Sequence, residues 1–184
     1  IRDRDDGGGC NSGSGSVFLL SSILSPYPLT FLPSLSPFLA SSHRHYTMFS
    51  YVTVELPALL RMHFSSSLLP SSQSICGHSM GGHGALICAM KSSLASSSPS
   101  GIKYASVSSF APIAHPKSCQ WGQKAFSGYL GSEDGKEERW AAWDATLLME
   151  AHGPFPFPML IDQGTADKFL EEQLKPEALE AACV

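Results

Sequence analysis

Charge is scarce in this sequence: Asp, Glu, Lys and Arg make up 15% of its 184 residues, and 12 bases against 16 acids leave a formal net charge of −4. That leaves no basic field to gather nucleic acid or anionic lipid, so neither is expected as a partner. Signals for cysteine pairing are absent as well. The five cysteines, Cys10, Cys76, Cys88, Cys119 and Cys183, are odd in number and form no CxxC pair, the pattern of reduced, cytosol-type thiols. Nor is there a long unbroken apolar run. Val17 to Ala40 comes nearest, but Pro26, Pro28, Pro33 and Pro37 would break any helix laid through it, which argues against a membrane span. The charges ahead of it, Arg2, Asp3, Arg4, Asp5 and Asp6, mix both signs and lead into Gly and Ser, unlike the n-region of a signal peptide or an acid-poor transit peptide. A cytoplasmic protein without membrane partners is the expectation.

What is present suits one globular domain, with 43% hydrophobic and 10% aromatic residues in a length that can bury a core. The material is unevenly spread. Residues 1 to 45 are low in complexity, rich in Gly, Ser and Pro, and show no sustained period, so they read as a disordered or non-native leader with no folded element. The chain opens on Ile1 and its first methionine is Met48, which reads as a truncated start. A domain over 46–184 follows. Met48 to Phe64 has helical spacing interrupted by Pro57, and Ser65 to Ser72 is a polar loop. Gln73 to Cys76 suits a buried strand ending at Gly77, and Gly81 to about Ser93 a helix whose Lys91 suits the dipole at its end. Tyr104 to Phe110 reads as the next strand, 117–152 as a loop and helical excursion, and Phe157 to Asp162 as a third strand. A last helix is expected over Phe169 to Cys183, with a break or restart at Pro176. Strands alternating with helices imply a mostly parallel sheet flanked by helices on both faces.

The chemistry is concentrated at Gly77-His78-Ser79-Met80-Gly81, a GxSxG sequence placed where a strand gives way to a helix. A nucleophilic serine needs a sharp turn that lifts its hydroxyl off the sheet edge, and glycines two positions away on either side keep the neighbouring backbone clear. The helix that starts beyond Ser79 aims its N-terminal amides at the reaction centre, and the Met80 backbone N–H is the expected oxyanion donor. The arrangement is similar to the nucleophile elbow of an α/β-hydrolase. Its triad runs Ser, then Asp or Glu, then His, with the acid on a turn after a later strand. Asp162 and Asp167 both qualify. Asp162 ends a strand, where local backbone bonds can consume it, whereas Asp167 lies beyond the turn Gly164-Thr165-Ala166 and is favoured as the triad acid.

The histidines are His43, His45, His63, His78, His83, His115 and His152, and none follows Asp167, so the sequence offers no catalytic histidine in triad order. His78 and His83 flank the nucleophile, but one is its neighbour on the elbow and the other lies on the helix, so neither is well placed to take the Ser79 proton. No histidine or cysteine spacing suggests zinc, and neither a metal nor a cofactor is expected. Cys119 has two readings, as a core residue or as a ligand-sensing thiol.

The run Cys76-Gly-His-Ser-Met-Gly-Gly-His-Gly-Ala-Leu-Ile-Cys-Ala-Met-Lys91 closely resembles the elbow of the S-formylglutathione hydrolases, also called the esterase D family. Met48-Phe-Ser-Tyr-Val-Thr-Val-Glu-Leu-Pro57, Ser109-Phe-Ala-Pro-Ile113, Trp121-Gly-Gln-Lys-Ala-Phe-Ser-Gly-Tyr-Leu-Gly131, Trp143-Asp-Ala-Thr146 and Leu160-Ile-Asp-Gln-Gly164 fall in the family's order. The resemblance covers 48–184, with divergent loops near 64–72, 92–102 and 150–156. It implies a cytosolic serine thioesterase of formaldehyde detoxification, hydrolysing the small-molecule thioester S-formylglutathione to formate and glutathione through a formylated Ser79. It places the acid at Asp167, where Ala166 replaces a second acidic residue, and it allows a homodimer of the full-length protein.

It further implies a partial α/β-hydrolase fold lacking N-terminal strands, the second oxyanion donor they supply, and a C-terminal segment carrying the histidine in an Asp-His-Ser context. Bared sheet edges and apolar faces make such a piece prone to aggregation, and without the histidine it is expected to turn over very little. Two other functions stand beside this one: a carboxylesterase for other small esters, since GxSxG fixes acyl transfer but not the acceptor, and a catalytically dead truncated paralogue.

Overall fold

The structure, a computed structural model, describes residues 16–20, 47–67, 72–94 and 102–184. Its frame is a sheet of four parallel strands in the order β1 (Ser16–Leu20), β2 (Gln73–His78), β3 (Tyr104–Phe110) and β4 (Met159–Asp162). Sequential parallel neighbours need a crossover, and α3 (Met80–Leu94) supplies the one between β2 and β3. β1 corrects an expectation. The sequence pattern of 1–45 predicts no folded element, yet the backbone of Ser16–Leu20 pairs along the edge of β2 from Gln73 to Gly77. Five residues are too few for a period to emerge against Pro- and Ser-rich surroundings, whereas a neighbouring strand edge can recruit them through backbone hydrogen bonds alone. The rest of that stretch lies outside the described residues.

Met48 to Phe64 is helical as expected, in three consecutive pieces: α1 (Met48–Ser50), a π-helical segment (Tyr51–Glu55) and α2 (Leu56–Phe64). The widened turn stands directly before Pro57, which has no N–H to continue the regular ladder, and the Leu56 N–H reaches back to the Tyr51 carbonyl instead. The Phe49 carbonyl accepts the Thr53 hydroxyl at 2.8 Å.

The core forms where α3 lies on β2 and β3. Ile75 and Val107 are almost fully buried from the strands, and Ala85, Leu86 and Met90 are fully buried from the helix. Cys88 belongs to the same layer, where burial pushes its thiol up to about 12 and so keeps it protonated and inert. Lys91, expected to serve the helix dipole, reaches further: its Nζ donates to the Ala142 carbonyl at 2.9 Å and stands 4.4 Å from the centre of the Trp143 ring. It thereby ties α3 to the excursion, which contains a 3-10 turn at Pro116–Ser118, α4 (Gln120–Leu130), α5 (Lys136–Ala141) and α6 (Ala145–His152).

β4 begins at Met159, two residues later than the sequence suggests, because Pro158 can lend its carbonyl to the Val107 N–H (3.1 Å) but has no N–H of its own. After it, the expected last helix is split into a π-helical turn (Leu170–Leu174) and α7 (Pro176–Ala182). Lys175 breaks them apart at a φ of 50°. Among the described residues no helix is long and apolar enough to cross a membrane.

The contact between β2 and α3 is backbone-tight, and two glycines with opposite surroundings expose that. A Cβ at Gly77 would run into the Gly81 carbonyl, whereas one at Gly84 meets nothing within 4 Å. Gly77→Ala is therefore expected to lower stability by about 1–3 kcal/mol through overpacking, and Gly84→Ala to raise it by about 0.5–1 kcal/mol through helix propensity. Urea midpoints of the two variants, moving in opposite directions, are the measurement.

Candidate active site

Ser79 stands between the last residue of β2 and the first of α3, at a φ of 56°. A left-handed conformation in a non-glycine residue costs on the order of 1–3 kcal/mol and persists only where its surroundings fix it. Here they do so from both sides. The Ser79 N–H donates to the Phe110 carbonyl at the end of β3 (2.8 Å), and the Ser79 carbonyl accepts the His83 N–H (3.1 Å), which starts the helical ladder. Gly82 completes the fit beneath: a Cβ there would lie 2.7 Å from the Ser109 hydroxyl and 3.2 Å from the Phe110 carbonyl oxygen. Met80 opens α3, so its N–H is one of the helix-start donors without an intrahelical acceptor, in the position anticipated for an oxyanion donor.

Because the strands are parallel, with His78 opposite Phe110 and Phe110 opposite Asp162, their C-terminal ends share one edge of the sheet. The two acidic candidates sit at that edge, at the end of β4 and just after it. Asp162 is still within the strand, and its carbonyl accepts the Ala111 N–H at 2.8 Å. Asp167 lies past the strand on a turn closed by its own N–H to the Gly164 carbonyl (3.2 Å), and its Oδ1 accepts the Phe169 N–H (2.9 Å). One carboxylate oxygen is thus spent on holding the side chain still; among the described residues the other has no hydrogen bond. β2 and β4 are two strand spacings apart, about 10 Å, a span that an intervening imidazole can bridge.

The two local histidines take other roles. His83 donates its Nε2 proton to the Trp143 carbonyl at 2.9 Å and packs against Phe126, with ring centres 6.2 Å apart. Burial holds its pKa below the usual imidazole range, against the smaller opposing pull of the Trp143 carbonyl and the Asp144 charge. It is therefore a neutral wall of the site. His78 is exposed at the strand end. Among the described residues no hydrogen bond joins the Ser79 hydroxyl to an imidazole, and no three His, Cys, Asp or Glu side chains gather as a metal site would require.

Beside Ser79 lies a cavity of about 270 Å³, walled by Met80, His83, Ile113, Pro116, Trp121 and Phe126. Its lining is mainly apolar. Cys119, left open between core and sensor, is buried behind this wall, where its sulfur accepts the Gly122 N–H at 3.3 Å and caps α4. Burial is the main influence on this thiol and raises its pKa, so it serves as core and cap.

Two parts of the site were not foreseen. Ala111 turns the chain off β3 at a φ of 44°, sending Ile113 and Pro116 into the cavity wall. Asp144, fully buried, accepts the His115 Nδ1 proton (2.9 Å), the Lys117 N–H (2.8 Å) and the Leu147 N–H (3.2 Å), so it caps α6 and clasps the wall loop together. An aspartate directly before a helical pattern was the available signal; what no local pattern could show is that its second oxygen reaches back to residues 115 and 117.

A family model described as "Putative esterase" matches residues 38–184. The chain belongs to this esterase family. The match starts at residue 38, ahead of the boundary expected at 46. Relatives include the S-formylglutathione hydrolases of Mus musculus and Bos taurus, 51% and 49% identical over 140 residues, which cover 76% of this chain and 45% of each relative. The chain thus spans about half the length of the curated relatives it matches. Among solved structures, an S-formylglutathione hydrolase from Agrobacterium tumefaciens is 46% identical with a TM-score of 0.63, covering 75% of this chain and 45% of that one. Esterase B from Lactobacillus rhamnosis, 18% identical with a TM-score of 0.53 over 73% of this chain and 43% of that one, shares the fold. The partial α/β-hydrolase architecture expected from the sequence is the one found.

Two outcomes follow from the buried groups. Asp144→Ala strands the donors that its carboxylate satisfies and is expected to cost about 2–4 kcal/mol, read from urea unfolding. His83 has a lowered pKa in the folded state, so below the unfolded value of 6.5 the unfolded chain binds the extra proton more readily and stability falls with pH. His83→Gln should flatten the decline in urea midpoint from pH 7 towards pH 5.

Proposed function

We propose that the full-length protein is an S-formylglutathione hydrolase, acting in the cytoplasm on a small-molecule thioester of glutathione. The observation that carries this reading is Ser79 at a φ of 56° between strand and helix, beside an open cavity, in a chain about half identical to hydrolases of that name. The Ser79 oxygen attacks the formyl carbon, and the oxyanion that forms is met by the Met80 N–H at the positive end of α3. The carbon–sulfur bond breaks, glutathione leaves as the thiol after taking a proton, and a formyl ester remains on Ser79. Water attacks that ester in the second half, releasing formate and restoring the hydroxyl.

Asp167 has the role of orienting and charge-balancing the imidazole that shuttles the proton. No histidine follows Asp167 in these 184 residues, so the proposal assigns turnover to a protein that carries this stretch together with such a histidine, and little turnover to the stretch alone. Among the described residues Cys88, Cys119 and Cys183 stand in no disulfide, which suits a reducing compartment.

One observation favours a wider substrate range. A formyl group needs about the ~30 Å³ share of one water molecule, far less than the cavity beside Ser79 provides. Hydrolysis of short-chain carboxylic esters through the same acyl-serine route is the second reading.

Assay of the protein encoded by the complete transcript decides between them. S-formylglutathione is expected to be the preferred substrate, and Ser79→Ala to lower kcat by on the order of 10⁴–10⁶-fold. Asp167→Asn should cost on the order of 10⁴-fold. Hydrolysis of simple esters without measurable action on the glutathione thioester would reject the first reading in favour of the second; full activity in Ser79→Ala would reject both.

A further inference from the structure

The segment that follows the Asp167 turn is tied to the cavity wall by three separate contacts. The Gln173 side chain is buried and its Oε1 accepts the Trp121 N–H at 3.0 Å. One residue on, the Leu174 carbonyl accepts the Ala114 N–H at 2.8 Å, and Leu174 itself packs with Ile113 and Cys119. Phe169 lies against Trp121 with ring centres 4.6 Å apart. Trp121 and Ile113 both face the cavity beside Ser79.

Of these contacts, the Gln173 bond is the one a backbone ladder does not supply. Trp121 is the second residue of α4, where the helix provides no acceptor for its N–H. A helix-start amide takes its partner from outside the backbone ladder, and beside the local cap at Cys119 the sequence provides a glutamine 52 residues away. The α4 end is therefore fixed relative to Leu170–Leu174, and through Phe169 to the turn on which Asp167 sits, with the Asp167 carboxylate itself holding the Phe169 N–H.

We infer that Gln173 is a specificity-positioning residue: its hydrogen bond to the Trp121 backbone sets the position of the cavity wall and so limits the size of acyl group that Ser79 accepts. The inference rests on the reading of Ser79 as the nucleophile. Gln173 touches no reacting atom. Its effect is carried by where it holds Trp121, so it discriminates between acyl groups rather than contributing to the bond-making step.

The test uses the protein encoded by the complete transcript, with Gln173→Leu, which removes the acceptor at similar volume, and Gln173→Glu, which keeps one. The substrates are p-nitrophenyl esters of formate, acetate, butyrate and hexanoate together with S-formylglutathione. For Gln173→Leu the ratio of kcat/KM for formyl over butyryl ester is expected to fall by about tenfold, the factor one neutral hydrogen bond supports, and Gln173→Glu should restore it to within about threefold. A uniform loss across the series, or an unchanged ratio, overturns the specificity role. Hydrogen exchange of the Trp121 amide is read in the same variants and is independent of turnover: it should speed up by about tenfold in Gln173→Leu, while the Phe126 amide keeps its rate. An unchanged Trp121 amide overturns the tether. If the wild type acts on esters and not on S-formylglutathione, the substrate assignment falls while the ester ratios still judge Gln173.

Discussion

Ser79 can hold a φ of 56° only because β2, β3 and α3 meet there through backbone rather than side chains. The turn would relax if the helix could draw away from the sheet. It is prevented from doing so by the carbonyl of Phe110, which takes the Ser79 N–H, and by contacts at Gly77 and Gly82 that leave no room for a Cβ. The cost of the strained serine is then spread over a rigid junction whose own stability comes from the layer of Ile75, Val107, Leu86 and Met90 beneath it. The same close approach points the start of α3 at Ser79, so the strain and the electrostatics of the site have one cause.

Around this junction the wall of the cavity is assembled from segments far apart in sequence, and polar groups do the joining. Asp144 carries a buried charge with donors from His115, Lys117 and Leu147 arranged about it, which is the condition under which a buried carboxylate stabilises rather than disrupts. Lys91 and His83 bind the carbonyls of Ala142 and Trp143 from α3. The turn at 142–144 is thereby held by α3 on one side and holds the wall loop on the other. An apolar contact in its place would hold these parts together without fixing their angle.

Legibility in the sequence followed the range of the interactions. Tyr104–Phe110 was placed to the residue, and α3 and the break at Pro176 nearly so, because a period, a glycine or a proline acts within a few positions. The elbow at Ser79 was legible for the same reason: its steric demands fall on residues two positions away. β1 was not, since Ser16–Leu20 is a strand by virtue of the edge it finds on β2, more than fifty residues on. Nor were the partners of Asp144 or Gln173. An aspartate that caps its own helix announces itself by position, but the return of its second oxygen to residues 115 and 117 depends on how the chain folds over. Gln173 sits in a segment where a glutamine is unremarkable, and its importance comes wholly from the amide it meets.

The neutral His83 shows why the wall is built in this way. An imidazole among Phe126, the cavity and the start of α3 could in principle carry charge, and a positive ring there would compete with Met80 for the oxyanion while remaining fixed in the ground state. Charge present before the reaction gives no preference for the transition state over the substrate unless it is placed at the atom where charge develops. Burial and the proton committed to the Trp143 carbonyl keep the ring uncharged, despite the carboxylate of Asp144 nearby. The pull of the Asp144 charge on the ring is smaller than the cost of charging it away from water. The wall can thus contain a buried carboxylate and a histidine and still present a neutral, mainly apolar face to the cavity beside Ser79, which under the proposed acyl transfer leaves the helix-start amides to meet the oxyanion.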